Sequence, residues 1–355
     1  MDKEITYESD IKNIIQYMNK KMSLNILDNK NILITGSTGL IGGGIVDLLV
    51  QYNKNNKYHI YAGCRNLTKG KKRFENYLKI PTFHLLEIDV TQPIIHDIDF
   101  HYIIYAASNA NPYYYATDPV GTMRSNIIGV DNILSYGIKH KLSHFHYISS
   151  SEVYGEINTN CISEEKNGYI DSLKVRSCYA NAKRAAETLS ISYSEQYDIK
   201  TTISRPCHIY GPFFSENDNR AFADFLRRAC SDKDLILKSK GDQYRSWCYV
   251  LDCCVAILTI ILCGKNQNAY NIANPHANIT IFELAQIIAR ISQRKIIFEI
   301  PDTHQEKGFS MKSKSDYSIA KISNLGWTPL ISLEDGLKSS FNTLKEIQNA
   351  NKANV

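Results

Sequence analysis

Residues 31–50 read NILITGSTGLIGGGIVDLLV. An apolar run ends in threonine, glycines follow, and a second apolar run of helical character begins at once. Gly36, Gly39 and Gly42 stand in G-x-x-G-x-x-G spacing between the two. A strand that turns so sharply into a helix, with so little side chain in the way, constrains the fold more than any other stretch. Gly36 permits the tight turn, Gly39 lets backbone N–H groups approach a pyrophosphate, and Gly42 lets the helix sit close to the strand. Thr38, Leu40 and Ile41 belong to the same turn, and the helix N-terminus behind them faces the anion. The reading is a dinucleotide site.

The chain around this junction repeats the alternation. Apolar strands are expected at 58–64, 83–89, 101–108, 144–151 and 200–206, with helices from the glycine turn to about 52, at 120–139 and at 178–197. Strands that are apolar nearly throughout belong to a parallel sheet covered on both faces. The expected fold class is therefore α/β, a doubly wound parallel sheet of Rossmann type with a smaller α/β substrate-binding lobe. The sheet domain takes residues 31–206 and regains about 248–275. The lobe is assembled from 207–247 and 276–345, the latter with a helix at 281–292, a short strand at 295–300 and a final helix at 333–348; a tail covers 346–355. Residues 1–30 hold an accessory helix, because Ile11, Ile14, Ile15, Met18 and Met22 fall at helical spacing behind Ser9 or Asp10 as cap. It packs on the main domain or binds a partner.

Composition narrows the function classes. The formal charge of +5 is spread along the 355 residues, which describes a solvated surface and not a nucleic-acid footprint. Nine cysteines occur without CxxC spacing, reading as reduced thiols and neither a disulfide framework nor a metal site. No apolar run approaches the roughly 18 residues that span a bilayer, and the acidic N-terminus lacks a signal-peptide core. The expected compartment is the cytoplasm, with no membrane partner and no metal.

A carboxylate at the end of the second strand would hold the adenosine ribose, but that place reads Gly63-Cys64-Arg65-Asn66. Arg65, with Lys69 near it, suits a 2′-phosphate instead. Asp89, with Val90 after it, closes the third strand and is a candidate for the adenine edge. Ala106, Ala107 and Ser108 close the fourth. Chemistry is concentrated in two further places. YISSSEVYG (147–155) ends a buried strand, where ligands bind in such sheets. Tyr179 and Lys183 in YANAK are i, i+4 neighbours on one helix face. A nearby ammonium favours a phenolate, Ser150 can hydrogen-bond the same substrate hydroxyl, and Tyr179 can take its proton while hydride leaves for the cofactor.

These residues, with T-G-S-T-G-L-I-G and RPCHIYGP (205–212), resemble the extended short-chain dehydrogenase/reductases that act on nucleotide sugars, over about 31–345. The resemblance implies oxidation of the sugar at C4, use of the 4-ketone for epimerisation, dehydration or decarboxylation, a tightly held NAD(P) and a homodimer. Dehydratases acting on dTDP-glucose carry Thr-Asp-Glu where this chain has Ser150-Ser151-Glu152, so the acid for a departing hydroxyl is missing. Ser-Ser-Glu is closer to the Thr-Ser-Glu of UDP-glucuronate decarboxylases, enzymes of polysaccharide precursor synthesis. AASNANP (106–112), with Asn109 and Ala110 in it, resembles their A-S-P-A-S-P, and Arg245 matches the arginine of their T-R-S-F. By that resemblance Ser151 and Glu152 manage C5, and Ser108, Asn109, Ala110, Ser150, His208 and Arg245 contact the substrate.

The chain also departs from that pattern. Gly-Pro-Arg-Met reads Gly211-Pro212-Phe213-Phe214, the expected asparagine is His208, and a terminal arginine pair is replaced by SMKSKSD, where Lys312 or Lys314 would meet the diphosphate. GDP-mannose-type 4,6-dehydratases, which use NADP, and 4-epimerases stay as alternatives. A dinucleotide-binding sensor without catalysis is the alternative from another class. The cofactor reading inclines to NAD, because an enzyme that regenerates its cofactor in each turnover needs no reducing pool.

Overall fold

A computed structural model describes residues 5–300 and 316–353. The chain opens with α1 (Tyr7–Lys21), β1 (Asn31–Thr35), α2 (Leu40–Tyr52), β2 (His59–Cys64), α3 (Leu67–Arg73), β3 (Phe83–Glu87) and β4 (Tyr102–Tyr105). It continues through α4 (Pro112–Thr117), α5 (Pro119–Gly137), β5 (His144–Ile148), β6 (Cys161–Ile162), α6 (Cys178–Tyr197) and β7 (Lys200–Pro206). Next come β8 (His208–Tyr210), α7 (Ala221–Cys230), β9 (Leu235–Leu237), β10 (Tyr244–Tyr249), α8 (Val250–Cys263) and β11 (Asn268–Ile272). The last elements are β12 (Asn278–Thr280), α9 (Ile281–Ser292), β13 (Ile296–Phe298), β14 (Asp316–Tyr317), α10 (Ala320–Ser323) and α11 (Leu333–Ala353).

Among the described residues, seven strands form the main sheet in the order β11-β7-β5-β4-β1-β2-β3, every neighbouring pair parallel. This is the doubly wound order, with the topological switch between β1 and β4. Crossover helices on both faces explain why β4 and β5 are buried along their whole length. A smaller sheet, β12-β10-β8, and the parallel pair β9–β13 bring the stretch after Pro206 together with the one after β11.

Three local expectations change. α1 is capped by Thr6, with Ser9 as the third helical residue of a capping box, so neither Ser9 nor Asp10 is the cap. Four helices escape the sequence pattern: α3 reads LTKGKKR and has no apolar period to show, α4 and α10 are too short to show one, and α7 lies in a stretch of mixed character. The final helix runs on to Ala353, so the expected tail begins as helix.

α1 packs on the main body. Its Ile11, Ile14, Ile15 and Met18 are buried in the same core as α2 and α8. Tyr7 donates its hydroxyl to Asp47 on α2 (2.8 Å), which also accepts from Tyr77 (3.1 Å) and pairs with Arg73. Phe213, one of the departures noted above, meets the Tyr7 ring edge-on at 4.9 Å and lies 4.3 Å under the Arg73 guanidinium. α2 also approaches α8 closely, since a Cβ at Gly44 would fall 2.8 Å from Cys254 Sγ.

Candidate active site

The glycine turn is built by close backbone contacts. Gly36 has φ +64°, and a Cβ there would fall 2.7 Å from the Ala106 carbonyl oxygen and the Ala107 Cα, so the turn presses on the chain leaving β4. A Cβ at Gly42 would fall 2.5 Å from the Gly36 oxygen, which seats the first turn of α2 directly on the loop. Gly39 differs: it is exposed, it caps α2, and a Cβ there meets the Gly36 oxygen only at 3.2 Å. Thr38, Leu40 and Ile41 are half-buried beside it. The Ser37 hydroxyl is buried without a hydrogen-bond partner among the described residues. A glycine-lined helix N-terminus at a switch point, with an unpaired hydroxyl beneath it, fits the pyrophosphate of a dinucleotide.

The other residues of the cofactor set also sit at this end of the sheet. Arg65 is exposed one residue beyond β2. Asp89 follows β3 and is half-buried, its carboxylate accepting from the Thr91 N–H (2.9 Å) and hydroxyl (2.8 Å). Val90 turns its side chain into the core, and its carbonyl accepts from Asn132 at 2.9 Å. The Ala106 N–H donates to Thr35 Oγ1 (3.3 Å), and Ala107 is half-buried. Ser108 accepts from Asn126, which in turn accepts from the Tyr147 hydroxyl at 3.1 Å.

The reactive groups gather where β5 ends. Tyr179 is buried, 4% exposed, and stacks on Tyr115 with ring centres 4.7 Å apart and planes at 17°. Burial pushes its phenol well above the usual value and the Glu152 carboxylate adds to this, while Ser150, Arg220 and Tyr115 act the other way. Lys183 follows one turn later on α6. Its ammonium donates to the Ile148 carbonyl at 2.7 Å and lies 4.7 Å from the Tyr147 ring centre and 5.7 Å from that of Tyr179. Burial brings Lys183 down to about 7, with Glu187 opposing.

Ser150 is half-buried and accepts from the Glu152 N–H at 3.2 Å, opening the turn Ser151–Tyr154. Ser151 is buried and faces Tyr317. Glu152 is not free: its Oε2 lies 3.2 Å from Arg176. Two arginines clamp the turn from behind. Arg184 donates to the Val153 carbonyl (2.6 Å), and Arg205 holds Glu187 through two nitrogens (2.9 and 2.7 Å) and the Tyr154 hydroxyl (3.1 Å).

On the facing side, His208 starts β8 with its Nδ1 buried and unpartnered among the described residues. Burial, then Arg245 and Arg220, lower it to about 3, so the ring is neutral at physiological pH. Arg245 lies half-buried on β10, where it feels Tyr317 and Glu152. Asn109 is half-buried and Ala110 exposed; the next residue, Asn111, caps α4 and donates to the Asn217 carbonyl at 2.7 Å. Lys312 and Lys314 lie outside the described residues. A groove of about 700 Å³ between α6 and β11, lined by Glu187, Ile191 and Ala269 among others, is separate from the reactive groups.

Sequence reading missed Arg176, Arg220 and Asn126. Arg220 is held by Asp218 (Nε to Oδ1, 3.0 Å) and faces Tyr179, Tyr115 and His208. An arginine in a polar loop gives no signal of this kind. Arg176 stands three residues before the tyrosine, and that nearness was the only available hint.

Comparison with known proteins follows the same lines. Residues 32–273 match the NAD dependent epimerase/dehydratase family. UDP-glucuronic acid decarboxylase 6 of Arabidopsis thaliana is 33% identical over 313 residues, covering 87% of each chain. In structure, the UDP-glucuronic acid 4-epimerase of Bacillus cereus, solved with UDP-glucuronic acid and NAD, superposes with a TM-score of 0.75 at 23% identity, over 89% of this chain and 99% of its own. The dTDP-glucose 4,6-dehydratase of Streptomyces venezuelae gives 0.78 at 19% identity, over 90% and 98%. These two likenesses concern the fold.

Proposed function

The chain belongs to the NAD dependent epimerase/dehydratase family, and from that premise we propose that it is a UDP-glucuronate decarboxylase-like enzyme. It oxidises the sugar C4 hydroxyl and uses the 4-ketone to release the C5 carboxyl group as CO₂. The observation that carries this reading is the 33% identity to a decarboxylase across 87% of both chains. Ser151 supports it, since a buried serine stands where a dehydratase needs an acid.

The Gly36–Gly42 turn would hold the pyrophosphate, Arg65 and Asp89 the adenosine end, and Ala106–Ser108 the path towards Tyr179 and Lys183. Bound there, NAD(P) supplies the acceptor for the C4 hydride and returns it after decarboxylation. Tyr179 takes the C4 hydroxyl proton, with Ser150 orienting that hydroxyl. The ketone is β to the carboxylate, so when the C5–C6 bond breaks its electron pair moves into the C4 carbonyl. Ser151 and Glu152 manage the proton that returns to C5, and Tyr179 gives its own back to the C4 oxygen. His208, Asn109, Ala110 and Arg245 line the sugar and diphosphate. Incubating the purified protein with UDP-glucuronate should yield CO₂ and a UDP-pentose by NMR. A 4-epimer of UDP-glucuronate as the product, or a 6-deoxy-4-keto sugar formed from a nucleotide hexose with no CO₂ from UDP-glucuronate, would refute decarboxylation.

Cofactor choice has two sides. Arg65 is an exposed cation at the ribose end of β2 and favours a 2′-phosphate, which would also suit a GDP-mannose-type dehydratase. We read the cofactor as NAD, because the cycle regenerates it. We also read the assembly as a homodimer, supported by the exposed Val120, Met123 and Ile128 on α5. The compartment is read as the cytoplasm, in keeping with nine free cysteines, and the product as a precursor for polysaccharide synthesis. Native mass spectrometry should find two chains with two NAD. The mass of NADP, or a single chain, overturns the corresponding half.

A further inference from the structure

Arg176 sits in the short turn Val175–Ser177 that leads into α6. Its NH1 is 3.2 Å from Glu152 Oε2, and its guanidinium lies 4.9 Å from the Tyr115 ring centre. Tyr115, 2% exposed, stacks in turn on Tyr179. The four residues thus form a chain that runs from a carboxylate through a cation to two stacked, buried phenols. We propose that Arg176 is a positioning residue for proton transfer at Tyr179: laid on Tyr115 and paired with Glu152, it offsets the carboxylate charge that opposes ionisation of the phenol. The inference rests on the reading of Tyr179 as the C4 base.

An exposed ion pair contributes little on its own. Here the guanidinium also has an aromatic face to lie on, which fixes it beside a buried site. The neighbours of Tyr179 leave this task to few groups. Glu152 comes from the turn after β5, Tyr147 from β5, Tyr115 from α4, and Arg220 from the segment before α7. Arg220 brings its own counter-ion, Asp218, which is 3% exposed. Lys183, on the same helix, spends its ammonium on the Ile148 carbonyl. Arg245 also faces Glu152, from β10. Among the described residues, Arg176 is the cation in direct contact with that carboxylate.

The test reads the phenol itself and needs no substrate. Phenolate absorbance is titrated in the dinucleotide-loaded protein, as the difference between Tyr179 and Tyr179→Phe in each background. Arg176→Ala should raise the apparent pKa by about one unit, because an opposite charge is lost beside the carboxylate. Arg176→Lys keeps the charge and should stay near the parent value. In Glu152→Gln, removing Arg176 should leave the phenol unmoved, since the charge it offsets is gone. An unchanged pKa in Arg176→Ala with full dinucleotide content overturns the proposal. So does an equal shift in the Glu152→Gln background, which would make the effect independent of Glu152. UDP-pentose formation by the parent protein judges the substrate reading separately, and the activity of Tyr179→Phe judges the base, so either can fail alone.

Discussion

Tyr179→Phe is expected to lower C4 oxidation by roughly 10²- to 10⁴-fold while nucleotide-sugar binding persists, the loss typical of a positioned acid–base group. The ring keeps its stack on Tyr115, so the pocket keeps its shape and only the proton acceptor goes. Glu152→Gln should behave differently. Oxidation persists, reduced dinucleotide accumulates to near full occupancy, and little product leaves. Single-turnover absorbance on both variants separates the two roles. If both stall before any reduced dinucleotide appears, Glu152 belongs to the oxidation step, and the assignment of C5 chemistry to it fails.

The second large effect lies in the glycine turn, where two neighbouring glycines should fail for different reasons. Gly42→Ala drives a methyl group to 2.5 Å from the Gly36 oxygen, a backbone atom that cannot step aside. Overpacking of this kind costs about 1–3 kcal/mol, and the melting temperature should fall. At Gly39 the nearest contact is 3.2 Å and the position is exposed, so the fold should tolerate Gly39→Val. What the isopropyl group obstructs is the approach of an anion to the N-terminus of α2. Folded Gly39→Val protein should therefore carry little dinucleotide. Full cofactor content in that variant would place the pyrophosphate elsewhere.

The contrast also shows what a sequence can reveal. The strand–turn–helix and the Tyr179–Lys183 pair are legible because each is a local motif whose spacing is its geometry. The parallel sheet is legible because burial on both faces leaves apolar runs. Arg176 and Arg220 could not be found this way, since their approach to Tyr179 is set by where a turn and a loop are pinned, Arg220 by Asp218 and Arg176 by Glu152. Lys183 illustrates a subtler limit. Helical spacing brings it near Tyr179, its ammonium 5.7 Å from that ring centre, but does not reveal that the carbonyl at the end of β5 takes a hydrogen bond from it. The side chain of Val90 lies in the core, which its place after a strand does not reveal.

The path of β11 has a consequence for the making of the protein. The strand completes the sheet beside β7 only after the chain has left through β8, α7, β9, β10 and α8. During synthesis, β7 therefore stands as an open edge while residues 207–272 are still being added. At ribosomal speeds of about 5–20 residues per second, that wait lasts roughly 3 to 13 s. An unpaired edge strand invites pairing with a neighbouring chain. The nascent protein is thus most prone to aggregate in this interval, and slowing translation within 207–272 should lower its soluble yield more than slowing it after Ile272.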